Sequence, residues 1–198
     1  MDDLNIVVDA YSHSPSHDDQ LFLSMLLTGF FALMRLGELA VPDDPALFNP
    51  KKISKRSSVI ISSSDYHFFL PGHKADRFFE GNVIIIQKHS KTIDPHNYFK
   101  SYLRSRDSLH PFSSALWLRA DGSIPSRSFF ISRLRQFFDS GIAGQSMRSG
   151  GATSLAESGV PPHLIQAIGR WASEAFKIYI RKNPVLMQAL LFGRAAHE

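Results

Sequence analysis

Between residues 144 and 181 the chain sets Arg148, Arg170 and a late tyrosine in a glycine-punctuated helical pattern, a set of side chains suited to handling a phosphodiester. Arg148 closes Gln145-Ser146-Met147-Arg148, Arg170 stands between Gly169 and Trp171, and Tyr179 follows in the next helical segment. Far upstream, Met34-Arg35-Leu36-Gly37-Glu38 sets an arginine and a carboxylate on one helix face. That pair reads either as a surface ion pair or as a guanidinium turned inward, because an arginine buried without a counter-charge is costly. Lys74 lies in Pro71-Gly72-His73-Lys74-Ala75-Asp76, where a lone lysine most simply protects a sheet edge. Tyr179 has a plain alternative too, as a core tyrosine among Phe176, Ile178 and Ile180.

Other chemistries lack their residues. There is no cysteine, which removes thiolate nucleophiles, thiolate metal sites and disulfides, and suits a reducing intracellular compartment. No phosphate-binding P-loop, dinucleotide fingerprint, H-E-x-x-H or G-x-S-x-G pattern occurs. The nine histidines are scattered, and a meeting of His67, His73, His89 and His96 across the sheet is better explained by chance than by a metal. No cofactor and no metal is expected. A formal charge of +4 permits a polyanionic partner without requiring one. The longest apolar run, Leu21 to Met34, is shorter than the roughly 18 residues of a membrane span, so no membrane is expected.

The elements that must position these residues follow from pattern. Residues 1–19, rich in serine and aspartate, read as a loosely ordered leader or linker stub. Gln20 to about Ala40 reads as one buried helix, ended by Pro42 and Pro45. Runs at 58–62, 66–70 and 82–87 predict three strands of a small antiparallel sheet, with Lys74 in a connection. A helix is expected over 95–106, with Tyr98, Tyr102 and Leu103 on one side and Lys100, Arg104 and Arg106 on another, then a short strand at Leu116–Leu118. Ser126 or Ser128 caps a helix at 129–138. Further helices at 148–157, 162–169 and 173–182 are punctuated by Gly159 and Pro161-Pro162. By itself, 152–168 also reads as a helix-turn-helix, which DNA-binding and purely structural domains share. The apolar tail 184–198 either folds back on its own core or docks on a neighbouring protomer.

Taken in chain order, these residues resemble the catalytic domain of tyrosine recombinases, the phage integrase family. Met34-Arg35-Leu36-Gly37-Glu38-Leu39 is similar to the family's first arginine box, and Lys74 occupies the place of its hairpin lysine. Gln145-Ser146-Met147-Arg148 stands where the family has His-x-x-Arg, Ile168-Gly169-Arg170 where Leu-Gly-His is common, and Tyr179 at the nucleophile spacing. Ser149-Gly150-Gly151-Ala152-Thr153 and Gly169-Arg170-Trp171 look closest to the eukaryotic branch carried by cryptons and DIRS-type retroelements. The resemblance covers about residues 20–182, is strongest over 144–181, and implies residues 20–183 as the catalytic domain.

It implies an α+β, mostly helical domain with a three-stranded antiparallel sheet, acting on double-stranded DNA in the nucleus. Arg35 and Arg148 would clamp the phosphate, whose charge builds on nonbridging oxygens. Tyr179 would form the phosphotyrosine, Lys74 would give the leaving 5′-hydroxyl its proton, and Glu38 would orient the arginines. Arg170 is auxiliary and Trp171 supports the site. Gln145 departs from the family histidine: it can donate a hydrogen bond but cannot exchange a proton near neutral pH. The family's N-terminal clamping domain has no counterpart in residues 1–19, and the tail is expected to link protomers into a homo-oligomer on DNA. The rival is a noncatalytic DNA-binding or scaffold protein that keeps the fold.

Overall fold

The computed structural model describes residues 2–72, 80–89, 93–139 and 141–181, with 184, 187, 188 and 191 in addition. The chain opens with helix α1 (Asp2–Tyr11), where a loosely ordered leader was expected. Leu4, Val7, Val8 and Tyr11 recur at helical spacing and are buried in the main core, which is what orders the segment. Helix α2 (His17–Phe31) follows, buried at every position from Leu21 to Phe30. It is the hub against which α1 and two of the later helices pack.

The single helix expected from Gln20 to Ala40 is broken. After α2 the chain turns through Leu33, whose φ of 49° is left-handed, and restarts as the short α3 (Leu36–Leu39). Met34 N–H donates to Gly29 O (2.8 Å) and Leu33 N–H to Phe30 O (3.4 Å), the paired bonds of a Schellman C-cap. Three 3-10 turns, Pro45–Leu47, Pro50–Lys52 and Arg56–Ser58, lead to the sheet.

Strands β1 (Ile60–Ile61), β2 (Asp65–Leu70) and β3 (Asn82–Gln87) pair antiparallel in that order, as expected. Tyr66 pairs with Ile86 and Phe68 with Ile84, all four on the buried face. Helix α4 (Pro95–Leu109), capped by Asp94, packs across α2 and against this face, with Tyr66 and Phe99 stacked at 4.0 Å. Arg106, expected on another side of this helix from Tyr102 and Leu103, is fully buried as they are. Its guanidinium donates to the carbonyls of His110, Ser113 and Ala115 and pairs with Asp107. Leu116–Leu118 form no strand; only an isolated bridge joins Ala115 to Lys55. Helix α5 (Arg127–Leu134) takes Ser126 as its cap, the Oγ accepting from Phe129 N–H.

Helices α6 (Ser146–Glu157), α7 (Pro162–Ile168) and α8 (Ser173–Arg181) close the described chain. Gly159, at φ 79°, ends α6 as read from sequence. A second, smaller cluster of Leu33, Ala152, Ala156, Ile165 and Phe176 holds α6, α7 and α8 to the turn after α2. No helix among the described residues is long and apolar enough to cross a membrane.

Candidate active site

The break between α2 and α3 is what builds the site. Arg35, in extended conformation, is the N-cap of α3, and Glu38 sits three residues on at its third helical position. Glu38 reaches back so that Oε2 accepts from Arg35 N–H (3.1 Å) and Oε1 from Arg35 Nη1 (2.9 Å). The pair is therefore a capping contact at a helix start rather than two groups on the face of one long helix. Glu38 is buried, with 5% of its side chain exposed, whereas Arg35 keeps 30%.

Arg170 joins from α7. Its Nη2 donates to Glu38 Oε2 at 2.8 Å, and its Nη1 to the carbonyls of Ala32 (3.3 Å) and Ile168 (3.0 Å). Its backbone is left-handed, φ 54°, and it occupies the C′ position of a second Schellman cap in which Trp171 N–H donates to Gln166 O (3.2 Å). Arg148, on α6, is buried between the same two helix ends. Nη1 donates to Leu33 O at 3.0 Å and Nη2 to Gly169 O. The two arginines thus cross-link the C-termini of α2 and α7, where unsatisfied carbonyls and the negative end of each helix dipole favour cations.

Trp171 lies over the Arg148 guanidinium, 3.9 Å from ring centroid to Cζ, and against Tyr179, with ring centroids 4.9 Å apart. Tyr179 is half-buried beside Phe176 and Ile180 on one face of α8, while Ile178 is exposed. Arg35, Glu38, Arg148, Arg170, Trp171 and Tyr179 therefore meet in one place. Burial pushes the Arg148 guanidinium down to about 9, the charges of Arg35 and Arg170 press the same way, and Glu38 and Tyr179 oppose. Arg148 is still protonated at neutral pH, in a site with an excess of positive charge.

Gln145 and Lys74 stand differently. Gln145 is exposed just before α6, and among the described residues its backbone carbonyl accepts from Ser149. Lys74 lies outside the described residues, in the connection from β2 to β3. Most of the tail 184–198 lies outside them too. Among the described residues no group of three His, Cys, Asp or Glu is placed to hold a metal. The carbonyls of Ala32, Leu33 and Gly169 escaped the sequence reading, since a left-handed turn at leucine or arginine lacks the glycine that announces it.

No family profile matches the sequence, nor does any curated protein. Solved structures do match by fold. The XerH site-specific recombinase bound to its difH substrate, in a pre-cleavage complex, superposes with a TM-score of 0.63 at 16% identity, over 90% of this chain and 47% of that one. The post-cleavage complex of the same recombinase on a palindromic substrate gives 0.65 at 14%, over 96% and 51%. A complex of FLP recombinase with a Holliday junction gives 0.59 at 12%, over 87% and 43%. The fold is that of tyrosine recombinase catalytic domains, and the chain spans about half the length of the recombinases it matches.

Proposed function

We propose that this protein binds double-stranded DNA and cuts and rejoins its strands through Tyr179, in the integration or recombination of a mobile element. The Tyr179 oxygen attacks phosphorus, an O–P bond forms to give a 3′-phosphotyrosine, and the bond to the 5′-oxygen breaks. The departing oxygen takes a proton from Lys74, and the phenolic proton goes to water because Gln145 cannot accept it. The energy of the broken bond is kept in the phosphotyrosine, so rejoining needs no nucleotide and no metal.

The observation that carries this reading is the charge count. Among the described residues of the cluster, three guanidiniums face one carboxylate, Glu38, beside a tyrosine. Arg106 makes the contrast: it is tied to backbone carbonyls as Arg148 is, yet it also meets a carboxylate, Asp107. A phosphate is the group that would balance Arg35, Arg148 and Arg170. The finer assignments belong to the same proposal: residues 20–183 as the catalytic unit, 184–198 as the link between protomers, the crypton-type branch, and a nuclear site of action.

A duplex carrying a nick beside the cleavage position traps the covalent intermediate. The wild type is expected to form a protein–DNA adduct that Tyr179→Phe abolishes and Arg148→Ala reduces by about 100-fold or more. An adduct persisting in Tyr179→Phe overturns the nucleophile. For Lys74, a bridging 5′-phosphorothiolate, whose leaving group needs no proton, is expected to rescue Lys74→Ala; failure to rescue rejects the acid role.

Gln145 favours one second reading, a DNA-binding protein impaired in cleavage. In that case the wild type binds duplex without forming an adduct, and Gln145→His restores adduct formation.

A further inference from the structure

The face of the sheet opposite the one that α4 covers is apolar where it meets water. Ile60, Val83 and Ile85 are each more than half exposed, and Phe69, paired across the strands with Val83, is exposed with them. Phe69 also walls a groove of about 680 Å³, together with Pro50, Ile53 and Pro71. Contiguous exposed apolar surface of this kind marks a contact site. Lys51 and Lys55 flank the groove and are exposed, as is the neighbouring Lys52, and no acidic residue occurs from 49 to 64. The complementary occupant is therefore apolar along its middle and acidic at its edges. A DNA duplex meets half of that description, since its phosphates suit the lysines but leave the apolar floor wet.

The chain carries the matching surface itself, on the outer side of α1. Leu4, Val7, Val8 and Tyr11 hold that helix to the core, which leaves Asp3, Ile6 and Asp9 exposed on the opposite face. At 1.5 Å per residue the two carboxylates stand about 9 Å apart along the axis, with the isoleucine midway. Among the described residues neither the groove's two lysines nor these two carboxylates take part in an ion pair. We infer that α1 of one copy docks in the groove of a second copy, Ile6 against Ile53 and Phe69, and Asp3 and Asp9 against Lys51 and Lys55. The two surfaces differ, so the contact is heterologous and a pair of copies still has one of each free for further copies. The inference is independent of the DNA chemistry proposed above and of the tail as a link between protomers.

Sedimentation velocity of the DNA-free protein over a concentration series tests the contact. The wild type is expected to self-associate with a dissociation constant on the order of 100 µM, weakened several-fold in about 0.5 M KCl. Asp3→Lys with Asp9→Lys, and separately Lys51→Glu with Lys55→Glu, set like charges face to face, and each pair is expected to weaken association by about 10-fold or more. Ile6→Ser, which changes no charge, is expected to weaken it about 10-fold. Mixed in equal amounts, the two charge-reversed proteins regain opposite charges at every contact and are expected to associate as the wild type does, a rescue that misfolding would not allow. A wild type that stays monomeric, undiminished association in either charge-reversed protein, or a mixture that stays dissociated overturns the inference. A flatter salt slope for duplex binding in Lys51→Glu with Lys55→Glu, with self-association unchanged, gives the lysines to DNA and overturns it as well.

Discussion

Arg170 occupies a backbone position that glycine usually fills, and its side chain accounts for the exception. A left-handed φ of 54° costs a non-glycine residue about 1 kcal/mol. Bonds to Glu38, Ala32 O and Ile168 O offset that cost. Two substitutions separate the terms: Arg170→Ala removes the bonds and keeps the strain, whereas Arg170→Gly removes both. The glycine variant is expected to be the more stable of the two by about 1 kcal/mol in urea unfolding. If alanine equals it, the strain account is wrong. Arg148 makes a second prediction, through pH. Its folded-state value is lowered to about 9 by burial and by Arg35 and Arg170, while the unfolded chain keeps the ordinary arginine value. Below about 9 both states hold the proton and the penalty is present in full. As pH rises above 9 the folded state releases it first, so the unfolded state binds more protons and stability rises. Urea midpoints at pH 7.5 and 10 should therefore shift in favour of the wild type relative to Arg148→Met; an unchanged gap refutes the lowered value.

At the scale of elements, the site depends on how closely α6 approaches the end of α2. A Cβ on Gly151 would strike the Phe30 carbonyl oxygen and come within 2.6 Å of Leu33 Cδ2, while one on Gly150 would meet only the edge of the Phe30 ring, at 3.2 Å. Backbone cannot step aside and a ring edge can. Gly151→Ala is expected to cost about 2 kcal/mol and to displace Arg148 from the Leu33 carbonyl, whereas Gly150→Ala stays within about 1 kcal/mol of the wild type. Comparable urea midpoints for the two would show that the helices are not in close contact. Much of this architecture was legible beforehand: the three strands come from runs of β-branched and aromatic residues, and α6 to α8 from Gly159, Pro161 and Pro162. The signal for α1 was present too, in Leu4, Val7, Val8 and Tyr11, but the serines and aspartates that follow masked it. The break after α2 carried no such signal. Leu33 looks like any core leucine, and only the bonds from Met34 and Leu33 back to Gly29 and Phe30 make it a turn. Arg106 was misplaced for a related reason, since the carbonyls that bury it lie beyond its own helix. The composition of the cluster was readable from residue types and order, but the sharing of Glu38 by Arg35 and Arg170 depends on two helix ends meeting.

Across the whole molecule, charge that is already paired does not attract DNA as free charge does. The formal net charge is +4, yet Arg56 is bonded to Asp107 through Nε and Nη2, and Arg106 pairs with the same carboxylate. Arg35 differs in charge count: Glu38 answers Arg170 as well, with the Arg148 charge beside both, so three guanidiniums share one carboxylate where Arg56 and Arg106 are two, and the exposed part of Arg35 can meet a phosphate. Each phosphate neutralised by such a group releases condensed counterions, and log affinity falls with log salt by about 0.9 per contact on duplex DNA. Arg35→Ala is therefore expected to weaken duplex binding across sequences and to flatten the salt slope by about 1, as measured by fluorescence anisotropy of a labelled duplex in increasing KCl. Arg56→Ala is expected to change the slope less than Arg35→Ala does, because both oxygens of Asp107 hold its guanidinium. Equal slopes for the wild type and Arg35→Ala would place the phosphate contacts elsewhere on the surface and detach the arginine cluster from DNA binding.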